Sequence, residues 1–330
     1  MAVKKEAYLF LSAMLRAREP AMLSREKAER MLDAASFEDC AKLLTDCGYE
    51  DMSQMSIKQI EKTLADCRTG MFHELESMLP DTAALDLFRL KYDYHNAKVL
   101  IKSEAIQQGN EDLLSDAGRV SAAKIRELYE EDRMSELPSM LASAITEAKK
   151  LLDRSSNPQL ADFYLDKCYF KEMKKLADDL DSPFAKGYVT ILADTTNLRS
   201  AVRILRMGKD VGYMQEALVP GGSVSDDRLL AGVGGEGLAA VFEGGPLAKA
   251  AQLGATAING GSLTAFELAC DNAVSNYLAD ARRRSFGEEC VLGYLAGKES
   301  ELTAIRMILT GRLAGVPSDT IRERLRDLYA

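Results

Sequence analysis

Histidine is nearly missing from this 330-residue chain: only His73 and His95 occur, and tryptophan is absent. The side chain that most often moves protons near neutral pH, and most often holds zinc, is therefore scarce. One turn from His95 lie Lys91 and Val99, and His73 is followed by Glu74, so neither histidine has a second imidazole at metal-binding spacing. No Ser-His-Asp or Cys-His arrangement can be proposed from so few histidines. The six cysteines (Cys40, Cys47, Cys67, Cys168, Cys270 and Cys290) include no C-x-x-C pair and read as free thiols in a reducing compartment. No run approaches the ~18 uncharged apolar residues that a membrane span needs. The opening MAVKKEAYLFLSAML is interrupted by Ser12, followed by Arg16 and Arg18, and lacks a signal-peptide cleavage pattern. An excess of positive charge is missing too: 42 basic against 51 acidic residues gives a net charge of −9, which argues against nucleic acid as the main partner. These absences predict a chain with no catalytic residues, no metal, no cofactor and no membrane span.

What is present is helix. Ala, Leu, Glu, Lys, Arg and Met dominate, and period-two runs of β-branched residues are lacking, so the fold class is all-α. The eight prolines (Pro20, Pro80, Pro138, Pro158, Pro183, Pro220, Pro246 and Pro317) stand where helices should start or stop. Thirteen of the 23 glycines fall between Gly208 and Gly261, which predicts the loosest loops there.

An internal repeat carries the most information. Leu87, Leu90, Tyr94, Ala97 and Ile101 share one helix face, and a shift of 101 residues places Tyr188, Ile191, Thr195, Leu198 and Val202 in the same pattern. The polar face repeats in register: Asp93 with Asp194, Asn96 with Asn197, Lys98 with Arg199, and Lys102 with Arg203. A fainter third copy, 103 residues on, takes Val202-Arg203 to Ile305-Arg306 but turns Asn197 into Ser300. Ser24, Ser121 and Ser225 each stand before a helical run, as N-caps do. The chain is expected to form three similar helical bundles, over 1–110, 111–212 and 213–330, as one body with pseudo-threefold symmetry.

Three features invite chemistry and are set aside on physical grounds. Gly232 to Gly237 satisfies G-x-G-x-x-G, but a dinucleotide site needs a strand before it, and here the capped helical run SVSDDRLLA precedes it. Pro220-Gly221-Gly222 reads as a turn between copies. Asp93 and Asp194 could be general bases, yet two copies of one position point to packing or capping. The basic residues Lys98, Lys102, Arg199, Arg203, Arg206 and Arg306 recur on the same helix in successive copies. They are the candidate partner-contact residues. The competing reading is ordinary helix-surface charge, solvated or paired with nearby acids. Arg282-Arg283-Arg284 is expected to face solvent.

Several segments together carry a resemblance: MLSREKAERMLDAASFEDCAKLLTDCGY (22–49), YDYHNAKVLIKSE (92–104), NPQLADFYLDKCYFKEM (157–173), GYVTILADTTNLRSAVRILRMGKD (187–210) and YLAGKESELTAIRMIL (294–309). In order and spacing they resemble the C subunit of the bacterial and archaeal V-type (A-type) ATPases and ATP synthases, the counterpart of the vacuolar d subunit. The likeness runs along nearly the whole chain and departs in the Gly/Ala-rich stretch 232–261. It implies a pseudo-threefold funnel of three helical domains with no active site of its own. It also implies a place on the cytoplasmic face of the membrane rotor ring, receiving the central shaft of the ATP-hydrolysing head and coupling its rotation to proton or sodium transport. Two other readings are an all-helical scaffold unrelated to ATPases and a nucleotide-binding enzyme built on Gly232–Gly237.

Overall fold

The computed structural model describes residues 5–106, 111–233 and 237–329. Helix makes up 76% of it, and no strand occurs among the described residues, so the fold is all-α. The chain forms two compact units: Met1–Thr82 with Ser262–Ala330, and Ala83–Gly261.

The first unit holds α1 (Leu9–Arg18), α2 (Arg25–Asp33), α3 (Phe37–Lys42) and α4 (Ile57–Glu76). The second begins with α5 (Ala83–Ile106), α6 (Ala122–Glu130), α7 (Ser139–Ser155), α8 (Pro158–Asp179) and α9 (Pro183–Arg206). It continues through α10 (Val211–Ala217), α11 (Asp226–Ala231), α12 (Leu238–Val241) and α13 (Ala248–Ile258). The chain then returns to the first unit with α14 (Leu263–Ala279), α15 (Glu288–Leu313) and α16 (Ser318–Arg322).

The expected helix starts are formed. Ser24, Ser121 and Ser225 cap α2, α6 and α11, and each hydroxyl accepts the N–H three residues on, from Lys27, Lys124 and Arg228 at 3.3 Å. Asn157 caps α8 and Ser182 caps α9, each with proline at the first helical position, where a missing N–H costs nothing. Gly208 ends α9 with a φ of +67°, the left-handed conformation that closes many helices.

In the first unit the last long helix, α15, lies against α1, α2, α3, α4, α14 and α16. The part of α15 from Cys290 to Leu295 is buried on every face. Further along, Leu302, Ile305, Ile308 and Leu309 close a core with Met31, Leu32, Leu44, Met52 and Ile60. In the second unit α8 packs between α5 and α9. The two repeated faces point inward: Leu87, Leu90, Tyr94, Ala97 and Ile101 on α5, and Tyr188, Ile191, Thr195, Leu198 and Val202 on α9, are all buried. Contacts between α5 and α8 run Tyr94–Glu172, Lys98–Asp166 and Lys102–Asp162, so the two helices are antiparallel.

The cap geometry generates a test. Ser121→Ala should lower stability by about 1 kcal/mol in urea unfolding, whereas Ser121→Gly should cost only a few tenths. A Ser121→Ala variant as stable as the parent would show that the hydroxyl's bond to Lys124 is not what holds the start of α6.

Candidate partner-contact face and buried carboxylate joints

Halfway along α5, Asp93 is wholly buried. Its Oδ1 accepts the backbone N–H of Arg119 at 2.9 Å and of Val120 at 3.2 Å, and its Oδ2 accepts Arg119 Nε at 2.6 Å. Arg119 reaches on to Glu172 of α8 at 2.8 Å, whose other oxygen accepts the Tyr94 hydroxyl at 2.9 Å. One turn along, Asn96 exchanges two hydrogen bonds with the backbone of Ser115, both at 2.8 Å. The chain entering α6 is thus bolted to the middle of α5.

The same joint recurs on α9. Asp194 accepts the N–H groups of Ser223 (3.1 Å) and Val224 (3.2 Å) and the Ser223 hydroxyl (2.6 Å). Asn197 exchanges two bonds with the backbone of Val219, at 2.8 and 2.9 Å. Both loops carry glycine at the point of closest approach: a Cβ on Gly118 would stand 2.4 Å from Asp93 Oδ1, and one on Gly222 2.3 Å from Asp194 Oδ1. On α15 a glutamate does related work. Glu301, buried, accepts the N–H of Leu23 at 3.0 Å and pairs with Lys298 at 2.6 Å. In all three joints the anchored N–H belongs to the residue just before a capping serine: Leu23, Val120 and Val224. The repeated aspartates are therefore anchors for backbone.

Electrostatics in the α5 joint are finely balanced. Burial pushes the Asp93 carboxyl above its usual range, and the Arg119 guanidinium and two N–H groups offset only part of that. Burial works against the charge of Arg119 as well, but Asp93 and Glu172 outweigh it and hold the guanidinium protonated.

The six basic candidates are engaged within the chain. Lys98 pairs with Asp166 at 2.6 Å and Lys102 with Asp162 at 2.5 Å, both across α5 and α8. Arg206 donates to the carbonyls of Ala257 (3.2 Å) and Gly261 (3.1 Å), at the C-terminal end of α13, where a cation is favoured by the helix dipole. Arg306 pairs with Glu61 at 2.7 Å. Arg199 and Arg203 also have interaction partners. The residues that the sequence pattern does not single out are Arg119, Glu172, Ser223, Lys298 and Glu301. Gly118 and Gly222 carry a signal in the sequence, since each lies three residues before a capping serine.

The remaining motifs fall as follows. α11 precedes Gly232, so the strand that a dinucleotide fingerprint requires is not there; residues 234–236 lie outside the described residues. His95 bonds the Leu113 carbonyl at 2.9 Å, and exposed His73 lies 3.7 Å from Glu76. Among the described residues no group of three metal-ligating side chains assembles, and no helix is long and apolar enough to cross a membrane. Arg282, Arg283 and Arg284 are exposed, with Arg282 stacked over the Tyr329 ring at 4.3 Å. Burial raises the Cys40 thiol to about 11, which leaves it unreactive.

Two outcomes follow from the joints. Arg119→Met strands two buried carboxylates and should cost about 3–5 kcal/mol at pH 8. An unfolded aspartate titrates near 3.8, and in this variant the folded value lies higher still. The folded state then binds protons more readily than the unfolded state, so stability rises as pH falls through the folded pKa toward the unfolded one, and the deficit should shrink at pH 5. Urea unfolding at the two pH values measures it; a deficit independent of pH would contradict the assignment. Gly118→Ala should cost about 1–3 kcal/mol through overpacking against Asp93, and an unchanged midpoint would argue against the closeness of that contact.

Comparison with known proteins gives one consistent answer. The family model described as the ATP synthase (C/AC39) subunit matches residues 11–324. The C subunit of the V-type sodium ATPase of Enterococcus hirae is 25% identical over 98% of this chain and 99% of its own length. The C subunit of the A-type ATP synthase of Methanocaldococcus jannaschii is 24% identical over 99% of this chain and 88% of its own. The C subunit of the V-type ATP synthase of Thermus thermophilus is 22% identical, with 96% and 98% covered. With the family model matched over nearly the whole length, the chain belongs to the ATP synthase (C/AC39) subunit family, as a non-catalytic subunit of a membrane-associated V-type ATPase complex.

Proposed function

We propose that this chain is the central-stalk rotor subunit that couples the rotating shaft of the ATP-hydrolysing head to the membrane rotor ring, on the cytoplasmic face, and so drives proton or sodium transport. The observation that carries the reading is mechanical. Three long helices, α5 and α9 of 24 residues and α15 of 26, are each bolted near mid-length by a buried carboxylate to the backbone that follows or precedes in the fold. At ~1.5 Å per residue these are struts of about 36–39 Å. A strut tied at its middle resists bending and sliding, which is what a part that passes torque needs and what a part that binds substrate does not. The match over nearly the full length of the E. hirae and T. thermophilus proteins supports the same role.

The proposal includes three similar bundles, 1–110, 111–212 and 213–330, disposed as a funnel with pseudo-threefold symmetry that receives the shaft. It also includes Lys98, Lys102, Arg199, Arg203, Arg206 and Arg306 as contact residues. Because Lys98, Lys102 and Arg306 already hold acids, a partner carboxylate would join or exchange with these pairs instead of meeting bare cations. Surface pairs of this kind are worth only ~0–1 kcal/mol each, so little opposes the exchange.

Membrane vesicles carrying the ATPase complex with and without this chain test the coupling role. Without it, the head should continue to hydrolyse ATP while ATP-driven ion uptake falls to background; undiminished uptake would end the proposal. For the contact face, the swap Arg306→Glu with Glu61→Arg keeps an internal ion pair and reverses each charge. The doubly substituted chain should fold as the parent does and lose at least tenfold in affinity for the rest of the complex. Equal affinity would remove Arg306 from the interface.

A further inference from the structure

The three joints differ in one respect. The buried carboxylate of α5 is neutralised from within the chain by Arg119 (2.6 Å), and that of α15 by Lys298 (2.6 Å). On α9, serine stands where the first joint has arginine. Arg119 spans the two oxygens of Asp93, whereas Ser223, which also reaches its aspartate through both its N–H and its side chain, places both bonds on Asp194 Oδ2. Its hydroxyl supplies a hydrogen bond but no charge, and no ion pair to Asp194 forms among the described residues. Asp194 nevertheless is only 6% exposed, and a carboxylate so placed is stable when a cation is close.

Beside it lies a cavity of about 190 Å³, lined by Asp194, Ser223, Arg228, Phe242, Glu243 and Leu247 among others. That is smaller than the ~300 Å³ and more that nucleotides and other drug-sized ligands occupy, and suits a single side chain. Arg228 and Glu243 bring one charge of each sign, so Asp194 sets the net charge of the lining. The aromatic ring of Phe242 and the apolar walls of Val241, Pro246 and Leu247 are what the flat face of a guanidinium packs against. Ser223 itself is exposed, so the pocket can be entered from solvent.

We propose that this pocket is a receptor for a guanidinium group, filled by an arginine of a partner protein that stands in for the Arg119 missing from this copy. The first joint shows what such an occupant does: it bonds the second carboxylate oxygen and locks loop to helix. In the α9 joint that lock is delivered from outside, so partner binding stiffens the segment leading into α11. The pocket would take its arginine whether or not the chain serves as a rotor part.

The full chain, labelled with ¹⁵N, is titrated with N-acetyl-arginine amide, with the neutral N-acetyl-citrulline amide and with N-acetyl-lysine amide. Saturable shifts of the Ser223 and Val224 amides at millimolar arginine probe are expected, at least fivefold weaker with lysine and absent with citrulline. No saturation, or an equal response to any two probes, overturns the assignment. The variant Ser223→Arg rebuilds the first joint within the chain. It should fold with a Tm no lower than the parent and bind the arginine probe at least tenfold more weakly; a lower Tm or unchanged binding overturns it. Partner occupancy is read with Ser223→Cys. Maleimide should label this cysteine readily in the free full chain and at least tenfold more slowly in the assembled complex, and equal rates would show that no partner fills the pocket.

Discussion

A carboxylate without bulk water must be surrounded by donors, and this structure places three such groups in the middles of its long helices. Asp93, Asp194 and Glu301 each satisfy the requirement with the backbone N–H of the residue that opens a capped helix. The bond is charge-assisted and therefore short-ranged and directional. It fixes where the incoming chain crosses the strut, and with it the direction in which α2, α6 and α11 set out. Glycine at 118 and 222 follows from the same constraint, because any Cβ there would strike the carboxylate.

Charge in this acidic chain is accordingly spent on structure. Lys98 and Lys102 tie α5 to α8, Arg206 sits on the end of α13, and Arg306 meets α4 at Glu61. A recurring row of bases need not be a bare electropositive surface, since these bases already hold partners within the chain. The net charge of −9 then describes a surface on which cations are mostly engaged, and selective contact depends on exchange of partners and on shaped pockets more than on long-range attraction. The α9 joint, where serine stands in place of the internal cation, borders a pocket of this kind.

Much of the fold could be read from the residues. The inward faces of α5 and α9 follow from 3-4-3-4 spacing, and the serine caps from their position before helical runs, because both signals act within one or two turns of backbone. The structural meaning of Asp93 and Asp194 was also foreseeable from their repetition. What could not be read was the far side of each contact. Arg119 is 26 residues from Asp93, Glu172 is 78 from Tyr94, and Glu301 is 278 from Leu23. The third joint is hidden further by a substitution: a glutamate does on α15 what an aspartate does on α5 and α9, so register alone does not reveal it.

The sequence by itself determined an all-helical chain, its caps, its buried faces and its internal repeat, all of which depend on local periodicity and residue type. Only the tertiary structure decided which acid meets which base, that the repeated aspartates hold backbone, and that one of three equivalent joints lacks its cation. Those outcomes depend on which segments are brought within about 3 Å of each other, and that distance is set by packing of helices far apart along the chain.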